Sequence, residues 1–328
     1  MPLHLDEFQR EAFQGYIEDV PPARTRVLES LMPKKPIHDI KFSYNVINGV
    51  YAQMASITGF NAGAPLRDKK GLERLFGEVA KIQHGFKLDE EELLKFNKPR
   101  DDAERDEVID YVYDQTDELL EGVRDTEEYL RAQAIYQGKI EYKVDDVAIT
   151  FDLDIPAANK VTATKLWSDP ASTPLTDLQT LKKQYKKANK QKSPAAIHMS
   201  EALFNDLLTN NQIRLNIYGE NTSSARVVTG EQVRTLFTAL GLPPIVINDD
   251  IVATDAGEVR LLPERRAVFV AADLGKTFVG ITVENNYKPG VYVVPEIKET
   301  NPPMQAVYVG ETAFPALQKP NAVAWIDA

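Results

Sequence analysis

The chain has 328 residues, is 43% hydrophobic and carries a formal net charge of −11, so it can fill more than one core and is too acidic overall for nucleic-acid phosphate to be its main ligand. Cysteine is absent, which excludes disulfides, thiolate nucleophiles and cysteine–zinc sites. No apolar run reaches the length of a membrane span, and the start, MPLHLDEFQREAF, lacks the apolar core of a secretory signal, so no membrane partner is expected and synthesis in the cytosol is.

The first forty residues read as an arm. Asp6–Glu18 predicts a short helix with Phe8, Phe13 and Ile17 on one side, stopped by Pro21-Pro22. Arg24–Met32 is another apolar-bearing turn, closed by Pro33 and Pro36. Two short elements among prolines bury little against each other, so the arm is expected to pack on something outside itself. From Ile40 the period changes to two: Ile40, Phe42, Tyr44 and Val46 alternate as a strand does. Val50–Ile57 is a second candidate strand. The Gly-rich, charged run GFNAGAPLRDKKG follows, and Glu78–Lys87 is extended again. This predicts a long hairpin-like excursion, either a plain surface hairpin or a loop that reaches a neighbouring subunit.

Asp101–Tyr136 holds thirteen acids against three arginines. At about 100° per residue, Asp110, Asp114, Asp117, Glu121, Asp125 and Glu128 fall on one line of a helix. Ile109, Val112, Thr116, Leu119, Val123, Leu130 and Ala134 fall opposite. The pattern predicts one helix roughly 50 Å long at 1.5 Å per residue, apolar side inward and a continuous acidic side outward. Gly122 marks a bend in it or a close contact. Lys139–Thr150 and Phe151–Ile155 predict a hairpin turning at Asp145-Asp146.

Beyond Pro156 the pattern is α+β. A helix is predicted over Leu175–Lys187, with Thr173 or Thr176 near its start. A strand over Ala195–Met199 follows, then a helix capped by Ser200 through Leu208 and one capped by Thr229 over Glu231–Leu240, ended by Gly241. Strands are predicted at Ile245–Ile247, Ile251–Thr254, Ala267–Ala271 and Phe278–Val283, and β-like segments at Gly290–Glu299, Ala306–Thr312 and Asn321–Ile326.

Candidates for chemistry are weak. His4, His38, His84 and His198 are far apart and stand in no metal-ligand spacing, so each is read as surface or structural. Gly275-Lys276-Thr277 hints at a phosphate loop, but the pattern needs glycine where Val270 stands and a helix where a strand is predicted. Asp249-Asp250 and Asp152 with Asp154 are carboxylate pairs, which abundance of acids makes inevitable, and no G-x-S-x-G occurs. Lys182, Lys183, Lys186, Lys187, Lys190 and Lys192 form the one basic cluster. With Tyr185 as its sole aromatic it reads as a solvated helix end rather than a nucleic-acid surface, and what it contacts is open. No catalytic residue, metal ligand or cofactor site is assigned.

Several local passages together resemble the major capsid proteins of tailed phages, in particular the lambda-type capsid protein E family. Leu28-Glu29-Ser30-Leu31-Met32-Pro33 is similar to the apolar-apolar-Pro ending of that family's arm, with the Ile40–Tyr44 strand following as it does there. Ala64-Pro65-Leu66 resembles the Ala-Pro-apolar step of its extended loop. Leu261-Leu262-Pro263-Glu264-Arg265-Arg266-Ala267-Val268-Phe269 is similar to its Leu-Pro, turn and apolar strand passage, and Lys319-Pro320-Asn321-Ala322-Val323-Ala324 to its closing strand.

The resemblance implies the α+β fold of those proteins. Its expected parts are an N-terminal arm over 1–42, an extended E-loop over 43–84, a peripheral domain over 85–155 carrying a spine helix at 101–137, an axial domain over 156–290, and C-terminal strands over 291–328 shared between the two domains. It implies a virion protein made in the host bacterial cytoplasm, with no enzymatic activity, that self-assembles as hexamers and pentamers into an icosahedral shell enclosing double-stranded DNA. The DNA would be held by non-specific proximity. A scaffolding protein, a portal and a decoration protein are the implied partners. Arg67, Asp68, Lys69 and Lys70 at the E-loop tip are expected in intersubunit contacts. The stripe Asp110, Asp114, Asp117, Glu121, Asp125 and Glu128 is expected to face the lumen or dock a scaffold. The alternatives are a carboxylate-based hydrolase, or another phage structural module such as a tail or decoration protein.

Overall fold

The computed structural model describes residues 2–46, 73–95, 102–144, 147–219, 226–254, 257–299 and 303–328. The candidate strand Val50–Ile57, the Gly-rich tip and the Asp145-Asp146 turn lie outside them. The chain divides into two compact units. One holds residues 1–43, 76–131 and 276–316, the other 44–75, 132–275 and 317–328.

The first unit is organised by the long helix, Asp102–Ala132, 31 residues and about 46 Å at 1.5 Å per residue. Val108, Val112, Thr116, Leu120, Val123 and Leu130 are buried at i, i+4 and i+3 steps along it. A Cβ on Gly122 would stand 3.2 Å from His84 Nδ1, so this glycine marks the close contact. The arm makes a 3₁₀ turn at Asp6–Phe8 and a helix at Arg10–Asp19, close to the predicted span. Its Phe8 and Phe13 meet Tyr113 of the long helix edge-on at 5.4 and 5.8 Å, and Tyr16 stacks on Tyr113 at 4.0 Å. The arm then enters the sheet, where Lys34–Pro36 runs parallel to Gly275–Val279. Pro33 and Pro36 had suggested a plain break there. Both prolines are compatible with a short edge strand, which needs few N–H donors.

The fourteen-residue strand Met304–Leu317 is the centre of that sheet, flanked antiparallel by Tyr292–Lys298 and Ala80–Leu88. Lys41–Val46 pairs with Glu73–Glu78, whereas the predicted returning strand of the excursion, Glu78–Lys87, lies largely in Ala80–Leu88 and pairs with Met304–Leu317 instead. Phe42 of the first stacks on Phe278 at 4.8 Å.

The second unit is a five-stranded sheet in the order Lys160–Thr162, Val323–Asp327, Arg266–Val270, Ala196–Met199, Ile245–Ile247. Ala267, Val268, Phe269 and Val270 are all buried in its middle strand, the mark of a strand covered on both faces. Helices Pro174–Ala188, Glu201–Thr209, Asn211–Tyr218 and Gly230–Ala239 supply Leu178, Leu181, Leu203, Leu207, Ile213 and Phe237 to the core. Ser200 Oγ accepts from Leu203 N at 3.0 Å, and Thr229 with Gln232 closes a capping box. The helix Asn211–Tyr218 was not predicted. Its signal is Asn210, whose side chain accepts from the N–H groups of Gln212 and Ile213. At the unit's start the chain widens into a π-helical turn at Gln133–Gln137 and leaves it through Gly138 at φ 71°, a left-handed position that glycine tolerates. The hairpin Lys139–Val144 with Val147–Asp152 follows as predicted.

Candidate functional site

The acidic line does not form one open face. Asp110 and Asp114 are exposed, while Asp117, Glu121 and Asp125 are half-buried and Glu128 is fully buried. The cover is the chain's own arm. Tyr16 donates its hydroxyl to Asp117 Oδ1 at 2.9 Å. Arg24 reaches Asp125 at 2.9 Å, and Arg26 donates to Asp125 and to Glu121 Oε2, the latter at 2.8 Å. The backbone N–H of Leu28 donates to Glu128 Oε1 at 2.7 Å. Successive arm residues therefore meet successive turns of the helix. The expectation of a continuous outward stripe is corrected accordingly: a helix line spaced at i, i+4 also suits one extended segment laid along it. The arm does pack outside itself, but onto its own chain.

The electrostatics follow the pairing. Burial alone would raise Glu121, but Arg26 and Arg124 outweigh it and hold its carboxyl below the usual range. Asp117 is raised, by burial first and by Asp114 beside it, against the pull of the Tyr16 hydroxyl. Glu128 is raised by burial, which the Leu28 amide and Arg131 only partly offset.

At the C-terminal end of the helix the pairing becomes a buried cluster. Arg131 spreads its guanidinium to Glu127 Oε2 at 2.8 Å, Glu128 Oε2 at 3.1 Å and Thr277 Oγ1 at 2.9 Å. Thr277 in turn donates its hydroxyl to Met32 O at 2.8 Å. The lysine ammonium of Lys34 lies between Glu127 Oε1, at 2.8 Å, and Glu311 Oε2. Glu127 and Glu311 are only 2% and 3% exposed at the side chain. These two buried carboxylates converge, and Lys34 lies between them as Arg26 does between Glu121 and Asp125. No sequence pattern pointed to Glu311 or Lys34. The Thr277 that hinted at a phosphate loop spends its hydroxyl here, in the strand Gly275–Val279, which begins three residues before the predicted Phe278–Val283.

In the second unit, Asn248 donates to the Tyr136 hydroxyl at 3.0 Å, which lies 2.7 Å from His198 Nδ1. Burial lowers His198 to about 4, so it is a neutral structural histidine. Of the lysine cluster, Lys182 bonds the Gly241 carbonyl. Arg67, Asp68, Lys69 and Lys70 lie outside the described residues. Among the described residues, no group of three or more His, Asp or Glu is placed to hold a metal ion, and no helix is long and apolar enough to cross a membrane.

The sequence model of the family described as phage major capsid protein E matches residues 11–326. No curated protein sequence matches the chain. Among solved structures, a phage-related protein from Bordetella bronchiseptica RB50 is similar at 15% identity over 95% of each chain, with a TM-score of 0.56. A prophage protein of E. coli CFT073, described as a capsid protein, is similar at 14% identity over 78% of this chain and 79% of that one, with a TM-score of 0.57. The capsid of Myoviridae phage XM1 is similar at 11% identity over 94% of each chain, with a TM-score of 0.50.

Proposed function

The chain belongs to the phage major capsid protein E family, and from that premise we propose that its copies associate as hexamers and pentamers into an icosahedral shell around double-stranded DNA. The observation that carries the reading is the family match over almost the whole length, 11–326. The paired strands Lys41–Val46 and Glu73–Glu78 support it, because they begin and end an excursion whose run GFNAGAPLRDKKG is rich in glycine and charge. Such a segment gains most by packing on a neighbouring copy, and many weak contacts of that kind sum to a stable shell. In this reading the parts are an arm over 1–42, an E-loop over 43–84, a peripheral domain over 85–155, an axial domain over 156–290 and C-terminal strands over 291–328.

The stripe has a divided role in this proposal. Asp110 and Asp114, exposed on the helix, face the lumen and repel packaged DNA, or dock a basic scaffold segment before packaging. Asp117, Glu121, Asp125 and Glu128 instead hold the arm. Arg67, Asp68, Lys69 and Lys70 pair with charges on the next subunit. A scaffolding protein, a portal and a decoration protein would complete the particle, assembled in the cytoplasm of a bacterial host.

The test is sedimentation velocity on purified full-length protein, alone and with the four tip charges reversed. The parent is expected to sediment as capsomers or larger particles, and the reversed variant to shift towards monomer while keeping its far-UV circular dichroism. Identical profiles for both would remove the E-loop tip from the interface.

A further inference from the structure

The buried cluster holds three carboxylates, Glu127, Glu128 and Glu311, against two cations, Lys34 and Arg131. Fully ionised, it would enclose one uncompensated negative charge. A buried unpaired charge is costly, and a carboxyl in that position keeps a proton instead. The two carboxylates that share Lys34 are the ones able to share it. The three elements joined here are the arm, through Leu28, Met32 and Lys34, the helix end, through Glu127, Glu128 and Arg131, and the sheet, through Thr277 and Glu311.

We propose that this cluster is a latch on the arm segment Leu28–Pro36, closed with one proton held between Glu127 and Glu311 and loosened when that proton leaves. The groups around Glu311 agree. From the helix Glu127 faces it, with Arg131 and Glu128 behind. From the arm comes Lys34, whose side chain is 31% exposed and gives the proton a way out. Thr277 brings no charge, nor does Ile82, which stands opposite Glu311 in the sheet, while His84, two residues on along the same face of that strand, is a titratable group turned to the helix at Gly122. Lys81, opposite the next residue, is engaged with Glu284. Tyr292, opposite Gly310, is a phenol pushed further up by burial and stays neutral.

The titration direction supports the geometry. Burial, and then Glu127, raise Glu311, so the pair keeps a proton. Opening the arm admits water and removes burial, the largest of these causes, which lowers Glu311 from that raised position although it also takes Lys34 away. Over the pH range between the closed and open positions the closed latch holds a proton that the open one does not, so closing weakens as pH rises through that range.

Amide hydrogen exchange on the full-length protein tests this. The N–H groups of Leu28, Ile37 and Thr277 bond across the arm contact, to Glu128, Val279 and Pro33. Their protection factors are expected to fall about tenfold per pH unit from about pH 5 to 8. Glu311→Gln, which mimics the protonated carboxyl, should stay protected across that range. Glu127→Gln balances the cluster without a proton and should flatten the slope as well, so either variant that folds decides the matter. A flat profile in the parent, or a parallel fall in a folded variant, would overturn the latch.

Discussion

Glu128 accepts the backbone N–H of Leu28 at 2.7 Å with no side-chain surface left to solvent. A hundred residues of sequence separate the two, and the bond fixes where the arm leaves the helix for the sheet. Removing the carboxylate strips Arg131 of a partner and leaves the amide unsatisfied. Glu128→Ala is therefore expected to destabilise the first unit by about 3 kcal/mol. Urea denaturation followed by hydrogen exchange in Asp102–Ala132 measures it. A loss below about 1 kcal/mol would mean that the cluster relaxes around the gap.

Arg26 is the arm's main grip further along. Its guanidinium is buried while Glu121 and Asp125, its partners, are part-exposed. Arg26→Ala is expected to weaken arm docking by about 1–2 kcal/mol and to speed tryptic cleavage at Arg24 several-fold. Arg26→Lys should recover little, since one ammonium cannot bridge both acids as the fork does. Asp110→Asn, on the exposed part of the same line, should change stability by less than about 0.5 kcal/mol.

His198 makes the second unit acid-sensitive. Its folded value of about 4 lies below the ordinary 6.5, so the unfolded chain takes up the proton first. The stabilisation is complete above about 6.5 and is lost as pH falls towards 4, about 3 kcal/mol in all. Both tryptophans, Trp167 and Trp325, belong to the core of this unit, so their fluorescence in denaturation series at several pH values follows it. His198→Gln should remove that increment of pH dependence. Matching slopes in parent and variant would assign the acid sensitivity elsewhere.

The parts of the fold that were legible in sequence are those set by neighbours along the chain. Ser200 and Thr229 announce helices because a cap bonds its own third residue, and the long helix announces itself through thirty-one uninterrupted residues. Asn210 was missed because Asn210-Asn211 also suits a turn. The arm's destination was illegible for a different reason. Tyr16 with Asp117 and Arg26 with Glu121 are pairs about a hundred residues apart, and periodicity carries no information on which partner a charged face meets. One signal was available: an acidic line with three arginines in the helix itself needs cations from elsewhere, and the arm carries Arg24, Arg26 and Lys34. Glu311 gave no signal, since a lone acid in an apolar strand is identified only by what surrounds it.

The claim on which the whole account rests is that this chain builds a closed shell. Negative-stain electron microscopy of the purified full-length protein, alone and co-expressed with the other virion proteins, tests it most directly. Closed particles of uniform diameter, or rings of five and six subunits, are the predicted result. Discrete monomers at every concentration, with the other virion proteins present, would contradict it.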